Sequence, residues 1–115
     1  MTDIAASAES RVRAAWKRVF FYPRVLRRQL TGSWALVECG GKEFYRETPE
    51  AAWQAALEYT EARQEQARQI EEEITVLRVV IAQPGFFRQE PVLQRILAAR
   101  QEALATATRG MKERK

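Results

Sequence analysis

The sequence predicts an α+β fold, mainly α, and three observations carry that expectation. Residues 50–83 contain neither Gly nor Pro, which is long enough for a helix of many turns. Two short runs, 34–39 and 42–47, flank Gly40-Gly41 and suit a β-hairpin. Apolar residues near both ends of the chain recur at helical spacing.

In chain order, the first helix is expected to open at Ser7 or Ser10 and run to about Phe21. Val12, Ala15, Trp16, Val19 and Phe20 would form its apolar face. Pro23 should break or kink the chain, because its ring removes a backbone donor. Residues 24–30 could form a short second helix with Val25, Leu26 and Leu30 inward, ended by Thr31-Gly32-Ser33. Gly40-Gly41 supplies the positive φ angles that a two-residue hairpin turn needs. That register pairs Cys39 with Lys42, Val37 with Phe44 and Ala35 with Arg46 on one face. Trp34, Leu36 and Tyr45 fall on the other face, among Glu38, Glu43 and Glu47. A lone two-stranded hairpin is marginal in water, so it must pack on helices or gain strands from a second molecule.

The long helix is expected over 48–83. Thr48 can cap it, and Pro49 suits a first turn where a missing N–H costs nothing. At 1.5 Å per residue it would be roughly 50 Å long, beyond what one small core covers. Trp53, Ala56, Thr60, Arg63, Ala67, Ile70, Ile74, Leu77 and Ile81 lie at alternating steps of three and four. This seam is weak at Thr60 and Arg63. Residues 83–90 read as a loop. Pro91 starts a last, shorter helix with Leu93, Leu97, Arg100, Leu104 and Ala107 on one face, and Gly110 stops it. The two helices should pair antiparallel. A single domain over 1–115 is expected, with 111–115 as a frayed basic tail.

Composition limits the chemistry. The apolar share of 46% is ordinary for a folded domain, and no apolar run approaches a membrane span. The first ten residues have no basic leader, so no secretory signal is expected. The lone Cys39 cannot form an internal disulfide, and a cytoplasmic setting is the simplest expectation. No histidine is present. That removes the usual general base near neutral pH and the His-activated Ser and Cys nucleophiles. Three consecutive Glu, 71–73, cannot converge on one helix face, so no metal and no cofactor are expected. Cys39, with no activating partner in the sequence, is expected to be an inert thiol.

The net charge of +4 conceals segregation: −2 over 1–9, +7 over 10–37, −6 over 38–73 and +5 over 74–115. Such blocks can attract within one molecule or between copies, so a basic balance alone does not imply nucleic acid. The basic block contains Arg11, Arg13, Lys17, Arg18, Arg24, Arg27 and Arg28, laced with Trp16, Phe20, Phe21 and Tyr22. It suits phosphates and exposed bases, an anionic membrane surface, or simply the solvated side of an amphipathic helix. Trp34, Leu36 and Tyr45, with Phe86 and Phe87 in the loop, are the candidate partner-binding residues.

The function expected from these features is a non-enzymatic, protein-binding module. It would be a small cytoplasmic regulator or inhibitor, of the kind phages and mobile elements encode, that acts by occluding a partner's surface. A nucleic-acid-binding protein using the basic N-terminal segment is the alternative. Self-association as a homodimer is expected from the open hairpin edges and the half-covered long helix.

Overall fold

The computed structural model describes residues 3–25, 34–83 and 90–112. The elements run α1 (Asp3–Ala15), β1 (Val19–Val25), β2 (Trp34–Cys39), β3 (Lys42–Arg46), α2 (Pro49–Ala82) and α3 (Glu90–Ala107). The fold is α+β and mainly helical, as expected. The strands form one antiparallel sheet in the order β1-β2-β3. The chain divides into two compact units, one of 1–61 with 110–115 and one of 62–109, and α2 contributes to both.

In the first unit the sheet has a strand that the sequence reading placed in helix. Helix α1 ends at Ala15, and residues 19–25 form β1 instead of completing α1 and opening a short second helix. Val19, Phe20, Phe21 and Tyr22 are β-branched or aromatic and favour a pleated surface. Their spacing fits a helix equally well over so short a run, and pairing with β2 decides the matter. The register is Val19↔Cys39, Phe20↔Glu38, Phe21↔Val37 and Tyr22↔Leu36. Pro23 does disturb the chain, but within an edge strand, where the register shifts between Tyr22 and Val25. The hairpin therefore gains its third strand from its own chain. The rest of the expected short helix, from Leu26 onward, lies outside the described residues.

The hairpin register is as read from the sequence: Cys39↔Lys42, Val37↔Phe44 and Ala35↔Arg46. Gly40 and Gly41 turn it with φ of 59° and 77°. The inner sheet face, with Ala35, Val37, Cys39 and Phe44, packs with Ala8, Val12 and Trp16 and with Ala52, Trp53, Ala56 and Leu57 of α2. Phe21 meets Trp53 with ring centroids 5.0 Å apart, and Trp16 stacks on Tyr59 at 5.8 Å.

Trp16 organises this core from just beyond α1. It is 2% exposed, and its indole Nε1 donates to the Thr60 hydroxyl at 2.8 Å. Thr60 donates in turn to the Ala56 carbonyl at 2.7 Å. The seam position that looked weak in the sequence is thus a buried polar anchor with its hydrogen bonds made. Trp16 also bridges Met111, with Lys17 N–H donating to the Gly110 carbonyl and Lys112 N–H to the Ala15 carbonyl. Met111 and Lys112, expected in a frayed tail, are tied down; 113–115 lie outside the described residues.

Helix α2 begins where its cap predicts. The Thr48 hydroxyl accepts the Ala51 N–H at 3.2 Å. In the second unit, Ile70 and Ile74 pack with Ala107, supported by Leu97, Ala103 and Leu104. Arg100 reaches Glu73 at 3.4 Å, so rising positions on α2 meet falling positions on α3, an antiparallel pair. Arg68 bonds Glu65 and Glu72 along the solvated face.

Candidate functional site

Alternation along the strands places Phe20, Tyr22, Trp34, Leu36 and Tyr45 on the outer sheet face, with Glu38 and Glu43. Across the strands the rows read Phe20–Glu38–Glu43 and Tyr22–Leu36–Tyr45. Leu36 is buried, 6% exposed, and forms the floor of this face. Trp34 and Tyr45 are half-buried. Tyr45 Oη donates to Glu43 Oε2 at 2.6 Å. Phe20 and Tyr22 stand open, at 47% and 49% exposure. Phe86 and Phe87 lie outside the described residues.

Sequence reasoning found Trp34, Leu36 and Tyr45 but assigned Phe20 to a buried helical face and gave Tyr22 no place on this sheet. The missed signal was the alternation of Phe20 and Tyr22 with inward Val19 and Phe21, which a strand pattern would have revealed.

The basic residues do not act as one patch. Arg11 pairs with Glu61 at 3.6 Å, both well exposed. Arg13 binds Glu9 at 2.8 Å and lies 5.1 Å from the Trp53 ring. Arg24 is exposed on β1, and Arg27 and Arg28 lie outside the described residues. Lys17 and Arg18 instead join Arg13 and Lys112 around a cleft of about 420 Å³, walled by Trp16 and Phe20. Lys112, distant in sequence, was not among the expected residues.

Cys39 is buried on the inner face. Burial pushes its thiol up to about 11, with the Thr60 hydroxyl opposing and the Glu38 charge adding to the rise. A raised pKa means the folded state keeps the proton longer than the unfolded chain does. The stability linked to Cys39 is therefore fully present below 9.0 and is lost as pH rises towards about 11. Urea midpoints measured across this window should fall less steeply for Cys39→Ala than for the wild type. A disulfide reagent should label the native thiol far more slowly than the denatured one.

In the second unit, α2 and α3 border a groove of about 580 Å³ lined by Val76, Leu77 and Ile96, with Glu72, Glu73 and Arg100 at its rim. Val76, Val79, Val92 and Ile96 are all exposed. Among the described residues no group of three or more Cys, Asp or Glu side chains is placed to hold a metal ion. Among the same residues no helix is long and apolar enough to cross a membrane. Comparison with protein-family models, curated proteins and solved structures returned no match.

Proposed function

We propose that the chain is a non-enzymatic, protein-binding module and that the outer sheet face is its contact surface. The observation that carries this reading is the open aromatic surface on the solvent side of the sheet, with Tyr22 half exposed over buried Leu36. A sheet that buries one face against helices commonly leaves the other polar and solvated, so half-exposed aromatics there exceed what the core requires. Desolvated aromatics of this kind anchor protein interfaces. Glu38 and Glu43 on the same face favour a partner with basic side chains and disfavour a phosphate backbone there. The absence of histidine and the lack of a converging carboxylate set among the described residues support action by occlusion, as a small cytoplasmic regulator or inhibitor of phage or mobile-element type.

A pull-down from the source cells, with and without nuclease, tests the proposal. A protein should be retained after nuclease treatment. Tyr22→Ala or Tyr45→Ala should weaken its binding by about 2 kcal/mol or more while far-UV dichroism stays unchanged. Normal binding by both folded variants would sink the outer-face reading.

Self-association belongs to the same proposal, through the groove of the second unit. Among the described residues its buried side chains are Ala67, Ile70, Ile74 and Ala107, which is thin for a helical pair of this length. Val76 and Ile96 extend an apolar stripe on the two helices, and the groove rim carries both charge signs, as a self-complementary two-fold contact requires. A second copy would complete a four-helix arrangement. Light scattering should give twice the chain mass, and Val76→Glu with Ile96→Glu should return it to the monomer. A wild-type monomer at high concentration would refute the dimer.

A further inference from the structure

The cleft beside the end of α1 has an electrostatic imbalance that folding does not explain. Arg13, Lys17, Arg18 and Lys112 converge on it, and among the described residues no carboxylate lines it. Cations do favour helix C-termini, but the end of a helix carries only about half a negative charge. Arg13 already has Glu9 and the Trp53 ring. Among the described residues, no salt bridge within 4.0 Å joins Lys17, Arg18 or Lys112 to an acid. Three cations are thus gathered with no acidic partner among the described residues. Lys17 and Lys112 are placed by backbone: Lys17 N–H donates to the Gly110 carbonyl at 2.9 Å and Lys112 N–H to the Ala15 carbonyl at 2.8 Å. The side chains are free of that task. The wall facing them includes Phe20, 47% exposed.

We propose that this cleft binds a phosphorylated nucleoside, with its phosphates on Lys17, Arg18 and Lys112 and its base against the Phe20 ring. Clustered cations match phosphate charge, and an open aromatic ring offers a stacking surface that accepts any base. A volume of about 420 Å³ suits a ligand of nucleotide size. The same chemistry is presented by a free nucleotide and by a single strand of nucleic acid. Phe20 belongs both to this cleft and to the outer sheet face, whereas Tyr22, Trp34, Leu36 and Tyr45 do not line the cleft.

Titration calorimetry at low salt, with ADP, a ten-nucleotide oligothymidylate and pyrophosphate as probes, tests it on the full chain. ADP, the strand or both should bind, and which of them does identifies the source. The triple variant Lys17→Ala, Arg18→Ala, Lys112→Ala keeps the backbone hydrogen bonds, so its melting curve should be unchanged. Its affinity should fall at least about tenfold for every phosphate probe that binds the wild type. If the strand is the ligand, the salt slope should also fall by about 2, from roughly 0.7 per lost phosphate contact. Phe20→Ala should weaken ADP or the strand and leave pyrophosphate unchanged. Tyr22→Ala should leave all three unchanged. The proposal is overturned if neither ADP nor the strand binds, if the folded triple variant binds as the wild type does, or if Phe20→Ala has no effect on the base-bearing probe.

Discussion

Trp16→Ala is expected to cost about 3–5 kcal/mol, the range for removing a large aromatic side chain from a packed interior. The residue is 2% exposed, stacks on Tyr59, and bridges the C-terminal segment at Met111. Its removal leaves a cavity bounded by three elements that cannot all collapse into it. The hydrogen bond to Thr60 is a smaller share and can be separated. Trp16→Phe keeps most of the ring and removes the indole donor, while Thr60 retains its bond to the Ala56 carbonyl. Thr60→Val does the reverse and leaves the Trp16 N–H buried without its acceptor, at about 1–3 kcal/mol. Urea unfolding should therefore rank Trp16→Ala as the most damaging of the three. A Trp16→Ala midpoint close to that of the wild type would show that Trp16 does not hold this core.

Gly40→Ala is expected to destabilise by about 2–5 kcal/mol, and Gly41→Ala by only about 1–2. Both glycines have positive φ, 59° and 77°, so an L side chain is strained at either position. The difference is what a Cβ would meet. At Gly40 it would lie 2.6 Å from two ring carbons of Trp16, closer than real contacts allow. At Gly41 nothing lies within 4 Å. Trp16 cannot yield, because stacking and the Thr60 hydrogen bond hold its ring. Equal midpoints for the two variants would mean that the ring moves aside freely.

The pair also shows where sequence reasoning reaches. That Gly40-Gly41 turns a hairpin follows from composition and spacing alone. That Gly40 must be glycine for a second reason, the indole lying over it, depends on a residue 24 positions earlier in the chain. The same division runs through the candidate sites. Trp34, Leu36 and Tyr45 share a face because strands alternate, and the hairpin register could be counted from its turn. Phe20 and Tyr22 join them only because β1 pairs with β2. Lys17 and Arg18 looked like the solvated side of a helix until Lys112 came beside them through the Trp16–Met111 bridge.

The sequence by itself determined the α+β class, the hairpin register, and the limits of α2, whose observed span of Pro49–Ala82 lies within one residue of expectation at each end. Its cap, its first-turn proline and its freedom from breakers are interactions among near neighbours, so they can be read locally. Tertiary structure decided the end of α1, the strand identity of 19–25, the burial of Thr60 and the cleft at Lys112. Each of these is settled by a partner distant in the chain. Over a short apolar run, helix and strand propensities differ by less than the energy of one well-packed pairing, so the pairing decides.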